Sequence, residues 1–150
     1  MFKRMPEWKD EALLVLRVVL GVIFFMHGSQ KVLGFFGGPG LAATVQFFQS
    51  KLGIPQFLAY TAAFTEFFGG IALVLGLFTR LAALGIGTDM AVAVVRVHLA
   101  NGFFLNWFCQ NGKGHGFEYN LALIAMALAL VLTGGGNYSL DAKFCKCETK

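Results

Sequence analysis

The stretch LAALGIGTDMAVAVVRVHLA, residues 81–100, decides the fold of this chain. Its length matches the roughly 20 residues that a helix needs to cross the hydrocarbon layer of a membrane. It also carries Asp89, Arg96 and His98. A charged residue near the centre costs about 2.5–3.5 kcal/mol on insertion, whereas each Leu or Val returns only about 0.3–0.6 kcal/mol. This helix therefore needs neighbouring helices that supply polar partners in a shared interior.

The composition of the whole chain indicates a membrane protein with several spans. Of its 150 residues, 57% are hydrophobic and 13% are charged, and the mean hydropathy is +0.67. Soluble domains average about 25% charged residues. The net charge of +4 does not indicate nucleic-acid binding, because the basic residues are scattered at segment ends and form no stripe. The length predicts a single domain over residues 1–150.

Four apolar stretches predict an all-α membrane bundle of four helices. The expected spans lie at about residues 12–28, 57–78, 81–100 and 117–133. Between the first two, apolar residues recur at helical spacing from Leu41 to Leu52, which predicts a short amphipathic helix in the membrane interface. A signal peptide is the alternative interpretation of the first stretch. Arg17 within it, and acidic residues before it, argue against cleavage.

Charge at the segment ends predicts the orientation in the membrane. With four spans, both termini lie on one side, together with the short turn at Arg80. Cytoplasmic loops carry an excess of Lys and Arg. Seven such residues lie on the side of the termini and three on the other, the seven being Lys3, Arg4, Lys9, Arg80, Lys143, Lys146 and Lys150, and the three Lys31, Lys51 and Lys113. We therefore expect a bacterial inner-membrane protein with both termini in the cytoplasm.

Ionisable residues at membrane depth are the candidate functional residues, because such residues are expensive in lipid. Lys31, Glu66, Arg96, His98 and Glu118 are expected to form one ligand or proton site, reached from the extracytoplasmic side, in which Arg96 pairs with Glu66 or Glu118. The supporting polar positions are Arg17, His27, Arg80 and Asp89. The alternative is that these charges only fix helix packing, or that the arginines extend to the membrane surface.

Metal binding and disulfide chemistry have weaker support in the sequence. His27, His98 and Glu118 include metal-ligating residue types, but nothing in their spacing requires a metal, and none is predicted. The three cysteines form no closed disulfide framework. Cys145 and Cys147 are separated by one residue instead of the two of a redox or zinc motif, so we expect a dispensable pair on a polar tail.

Five motifs in order, covering nearly the whole chain, resemble the DoxX family of small four-helix membrane proteins. They are RVVLG with GSQK (17–21, 28–31), EFFGG with GLFTR (66–70, 76–80), HLANGFF (98–104), GFEYN (116–120) and YSLD (138–141). The family's polar positions fall here on Arg17, Lys31, Glu66, Arg80, His98 and Glu118. Asp89 and Arg96 depart from the family's pattern, which is usually apolar in that helix before its His.

The resemblance implies a membrane subunit of a redox system that is quinone-linked and associated with thiol, sulfur or oxidative-stress chemistry. Quinone is the implied ligand, and soluble redox proteins or further copies of the chain are the implied partners. The chain has no haem or iron–sulfur ligand set, so quinone or a partner's cofactor would carry the electrons. Two other classes remain open. One is a scaffold or assembly protein, and the other is an ion or small-solute transporter that uses Glu66, Asp89 and Arg96.

The orientation gives the first testable prediction. In intact cells, a membrane-impermeant thiol reagent should label Cys109, in the predicted outer loop, and leave Cys145 and Cys147 unlabelled until the membrane is permeabilised. Labelling of the two tail cysteines with Cys109 protected would overturn the predicted orientation.

Overall fold

The structure, a computed structural model, describes residues 8–147, and all regular secondary structure within that range is helical. Its helices are α1 (Lys9–Leu33), α2 (Gly40–Leu52), α3 (Gln56–Leu75), α4 (Thr79–Ala93), α5 (Glu118–Thr133) and α6 (Leu140–Cys147). Helix α4 continues through a π-helical turn, Val94–His98, and a 3₁₀ turn, Leu99–Asn101. The predicted all-α class and the predicted helix between the first two apolar stretches are both confirmed. The terminal residues Lys3, Arg4 and Lys150 lie outside the described range, as do the side chains of Cys145, Lys146 and Cys147.

Three helices are long and apolar enough to cross a membrane: α1, α3, and the continuous helix of residues 79–101. Helix α5 is apolar but has 16 residues, which gives a length of about 24 Å against a hydrocarbon core of about 30 Å. Crossing by α5 therefore stays a prediction. Helix α1 runs further than expected, to Leu33, and ends at Gly34 in the left-handed conformation. His27 and Lys31 consequently lie on the helix.

A tight turn makes α3 and α4 antiparallel neighbours. Helix α3 ends earlier than expected because Gly76, at φ 69°, takes the left-handed conformation that closes a helix end. The amides of Gly76 and Leu77 donate to the carbonyls of Leu73 and Ala72 at 3.1 and 2.9 Å. The carboxylate of Asp141, at the start of α6, accepts hydrogen bonds from the Phe78 and Thr79 amides at 2.7 and 2.8 Å. Asp141 thus caps the start of α4.

Helices α1, α3, α4 and α5 surround one apolar core. Its buried members come from all four helices: Leu13, Leu20, Phe24, Leu73, Ala83, Ile86, Met90, Leu123, Ala127 and Leu130. The outward faces are apolar as well, and Val15, Val19 and Val22 on α1 are 47–62% exposed. A surface this apolar suits lipid and not water. The protein is an integral membrane protein built as a helical bundle.

Glycines bring the backbones of α1 and α3 into direct contact. A Cβ added at Gly21 would lie 2.8 Å from the carbonyl oxygen of Gly70, and one at Gly28 would overlap the backbone of Glu66 and Phe67. A Cβ at Gly70 would overlap the backbone of Phe25. Close backbone approach through small residues is the usual way in which helices associate in lipid, where the hydrophobic effect provides no drive.

The glycine contact predicts a selective effect of adding one methyl group. Gly28→Ala should lower the thermal stability of the purified protein markedly, because the new Cβ meets backbone atoms that cannot move aside. Gly87→Ala is the matched control in α4, since its Cβ would meet only the Ala127 Cβ at 3.4 Å. The control should be neutral or slightly stabilising, because Ala is favoured over Gly within a helix by about 1 kcal/mol. Equal melting temperatures for the two variants would contradict the contact.

Candidate functional site

Lys31 and Glu66 form an ion pair in the interior of the bundle. Helix α1 supplies Lys31 in its last turn, and α3 supplies Glu66 near its middle. The ammonium of Lys31 donates to both carboxylate oxygens of Glu66. The Glu66 side chain is 5% exposed and that of Lys31 is 26% exposed. The pair is therefore sealed on the carboxylate side and open on the ammonium side.

Asp89 is a second carboxylate beside this pair. On α4, Gly85 faces Thr65 and Ile86 faces Gly69, so Asp89, one turn further along, lies at the depth of Glu66. Glu66 and Lys31 are the charged groups close enough to act on Asp89 electrostatically. Its Oδ2 atom is buried and has no hydrogen-bond partner. The structure thus brings together Lys31, Glu66 and Asp89, which we call the charged triad.

Arg96 does not join the triad, and its predicted pairing with Glu66 or Glu118 is wrong. Arg96 is exposed, whereas Glu66 is paired with Lys31 and Glu118 accepts hydrogen bonds from Leu105 and Trp107. The prediction assumed an α-helix from Asp89 onward, in which residues seven apart share a face. Arg96 lies instead in the π-helical turn, which takes more residues per turn and so changes the direction in which the following side chains point.

His98 and Glu118 organise the loop between α4 and α5. His98 donates through Nδ1 to the carbonyl of His115 at 2.9 Å. The Oε1 atom of Glu118 accepts hydrogen bonds from the Leu105 amide at 3.0 Å and from Nε1 of Trp107 at 3.2 Å. His98 is nine residues beyond Asp89, about 13 Å along the helix axis. These two residues hold the loop at the end of the bundle opposite the chain termini and do not adjoin the triad.

Arg17 has a structural role at the end of the bundle that contains the chain termini. It is 2% exposed, and its guanidinium donates to the Leu73 and Tyr138 carbonyls at 3.0 and 2.8 Å and also to the Val74 carbonyl. The last carbonyls of a helix lack partners within the helix and carry partial negative charge. Arg17 supplies hydrogen-bond donors and a positive charge to the carbonyl end of α3. It is therefore a packing residue and does not extend to the membrane surface.

The other supporting positions lie apart from the triad. His27 is exposed on α1, and Arg80 is exposed with Nη2 donating to the Leu132 carbonyl at 3.3 Å. In the described part of the chain, no three His, Cys, Asp or Glu side chains converge as metal ligands. A shallow groove of about 620 Å³ lies between α3 and α4, lined mainly by Tyr60, Phe64, Phe68, Phe78 and Leu81. It contains none of the predicted site residues.

Residues that sequence reasoning passed over join the first turn of α1 to the segment between α5 and α6. Asp10, in the first turn of α1, accepts hydrogen bonds from the backbone and side-chain amides of Asn137 at 2.9 and 2.7 Å. The Tyr138 hydroxyl donates to Glu11 at 3.1 Å, and this hydrogen bond raises the pKa of the phenol. Residues 138–141 form the YSLD motif of the family resemblance, but neither spacing nor charge in the sequence indicates which residues they contact.

Comparison with known proteins agrees with this architecture. The sequence profile of the DoxX family matches residues 12–99, which include α1, α3 and nearly all of the helix that carries Asp89. The chain belongs to the DoxX family. No solved structure matches it.

Several relatives of this DoxX protein are named as membrane or redox proteins. It is 34% identical over 128 residues to "Putative oxidoreductase CatD" of Bacillus subtilis, a match that covers 85% of this chain and 83% of the relative. It is 28% identical over 138 residues to "Inner membrane protein YqjF" of Escherichia coli (91% and 95% coverage). To "Inner membrane protein YphA" of the same organism it is 33% identical over 139 residues (87% and 89% coverage).

The charged triad predicts how much each of its members contributes to the stability of the folded protein. Lys31→Met should lower the melting temperature most, because it leaves two carboxylates without a cation. Removing one partner of a fully buried pair costs about 3–5 kcal/mol, and the partial exposure of Lys31 reduces that figure. Glu66→Gln should cost less, since the freed ammonium can turn to Asp89, and the double variant should recover much of the loss from Lys31→Met.

The matched comparison for this double-mutant cycle is Arg96. Arg96→Met should add to Glu66→Gln without coupling, because the two side chains do not pair. Additive effects of Lys31→Met and Glu66→Gln, or coupling between Arg96 and Glu66, would contradict the pairing in the structure.

Proposed function

We propose that this DoxX protein is the membrane subunit of a redox system that exchanges electrons and protons with quinone at the charged triad. The observation that carries the proposal is the Lys31–Glu66 pair, a buried ion pair that is open on its ammonium side. Support comes also from the DoxX assignment and from the similarity to a relative named as a putative oxidoreductase.

The chemistry of the triad suits a quinone headgroup. A quinone carbonyl accepts a hydrogen bond, and an ammonium that is partly exposed has donors for it. Reduction of a quinone to a quinol takes up two electrons and two protons. Glu66 and Asp89 are carboxyl groups at the right depth to pass protons. The electrons come from a cofactor of a soluble partner protein, in a bacterial inner membrane with the termini of this chain in the cytoplasm.

A scaffold or assembly role is the second candidate, favoured by a different observation. Arg17 and Asp141 are charged residues whose hydrogen bonds go to backbone groups of neighbouring segments. Glu118 accepts from the Leu105 backbone amide and from the Trp107 indole. Such contacts fix packing and need no ligand. If all the charged residues served this purpose, the protein would hold partner proteins at the membrane without taking part in electron transfer.

Quinone binding separates the two candidates. With the protein in lipid nanodiscs, binding of a short-chain ubiquinone analogue should be measurable by quenching of tryptophan fluorescence. Lys31→Gln and Glu66→Gln should each weaken binding at least tenfold, whereas Arg96→Gln, at an exposed and unpaired position, should leave it unchanged.

The same binding measurement can contradict quinone binding at the charged triad. Absence of quinone binding by the folded wild-type protein, together with stoichiometric co-purification of a partner protein, would favour the scaffold. Loss of binding only in His98→Ala would move the ligand to the loop between α4 and α5 and away from the triad.

A further inference from the structure

Asp89 has a buried carboxylate oxygen with no partner, and the quinone proposal alone does not account for it. Its Oδ2 atom is sealed from solvent and receives no hydrogen bond. A buried acceptor without a partner costs free energy, and a buried ionised group without a counter-charge costs far more. In membrane-spanning proteins, such groups are found chiefly at functional sites.

Charge counting within the triad shows that one positive charge is missing. The ammonium of Lys31 is engaged by both oxygens of Glu66, so those two groups neutralise each other. Ionised Asp89 would add a second negative charge beside Glu66. Two carboxylates that share one site do not both stay ionised without a second cation. From α5 the neighbouring polar group is Asn120, which donates to Met90 Sδ at 3.5 Å and brings no charge. Arg96, in the π-helical turn after α4, is exposed.

We propose that the charged triad is a proton-exchange site, in which Glu66 and Asp89 share one ammonium and one proton. In the arrangement seen here, Lys31 holds Glu66 and the proton resides on Asp89. In the alternative arrangement, the Lys31 ammonium turns to Asp89, the O–H bond of Asp89 breaks, and an O–H bond forms on Glu66. The total charge of the triad stays at zero in both arrangements, so neither leaves an uncompensated charge in the membrane interior.

The surroundings fit a group that gains and loses a proton. The Lys31 side chain is 26% exposed, which gives the site a contact with the outside through a flexible amine. A π-helical turn follows Asp89 within the next five residues, and such turns are found frequently at functional sites. The proposal does not require quinone as the ligand, because any process that moves protons through the bundle would use the same exchange.

The proton on Asp89 is directly observable by infrared spectroscopy, since a protonated carboxyl group has a C=O stretch that a carboxylate lacks. In nanodiscs at neutral pH and without quinone, the wild-type protein should show this band. The band should shift in D₂O, and it should shift again when aspartate is labelled with ¹³C at the side-chain carboxyl. Asp89→Asn should abolish it.

Two further variants test whether Glu66 and Asp89 share one ammonium and one proton. Glu66→Gln should also abolish the band, because the released ammonium neutralises Asp89 and lets it ionise. Lys31→Met should raise the band about twofold, because both carboxyl groups then need protons; should that variant not fold, the two amide variants decide. Glu118→Gln is the matched control, with its carboxylate in the loop network, and should leave the band unchanged.

Several results would overturn the proton site: no band in the wild-type protein, a band retained in Asp89→Asn, an unchanged band in Glu66→Gln, or a band lost in Glu118→Gln. If the band behaves as expected but no quinone binds, the proton site stands and the quinone function fails.

Discussion

The backbone contact between α1 and α3 is the constraint on which the rest of this bundle depends. Lipid provides no hydrophobic drive for helices to associate, so packing and polar contacts must hold them together. Gly21, Gly28 and Gly70 let the two backbones touch, and that contact fixes the depth of every side chain on one helix relative to the other. It sets Lys31 opposite Glu66 near mid-bundle, and it brings Arg17 to the carbonyl end of α3.

The two ends of the bundle are built on different principles. At the end with the termini, Arg17 donates to carbonyls and Asp141 accepts from the amides at the start of α4, so charged side chains satisfy the backbone groups that helix ends leave free. The triad toward the other end differs, because Asp89 adds a second carboxylate to a site with one ammonium, that of Lys31. Charged groups that are fully hydrogen-bonded to backbone stabilise a single arrangement. Two carboxyl groups beside one ammonium can be neutralised in more than one way, depending on which of them carries the proton.

Much of the fold follows from the sequence, because apolar length and turn residues act locally. The stretches around 57–78 and 81–100 become α3 and the continuous helix of residues 79–101, within a few residues of the expected bounds. Gly76 ends α3 where its left-handed conformation closes the helix. The candidate site is harder to predict from the sequence, because the charged residues that contact one another lie on different helices. The expected first span, residues 12–28, leaves Lys31 outside the helix, whereas the structure has it on α1. The π-helical turn that removes Arg96 from the interior has no sequence signal that we recognise. Charge at membrane depth found Glu66 and Asp89, but depth alone does not tell which cation lies beside them.

A single ammonium between two carboxylates also explains why the triad has its mixed burial. A fully buried triad would carry the desolvation cost of the ammonium and its carboxylate, and that cost can exceed the attraction it returns. A fully exposed one would lose its interactions to solvent, where ion pairs contribute little. With Glu66 sealed and Lys31 a quarter exposed, the cation retains part of its hydration. The backbone contact of α1 with α3 holds Glu66 at a fixed depth, and the packing of α4 on α3 does the same for Asp89. The rigid part of the site is thus its acids and the mobile part its amine, which is the division that movement of a proton between two fixed carboxyl groups requires.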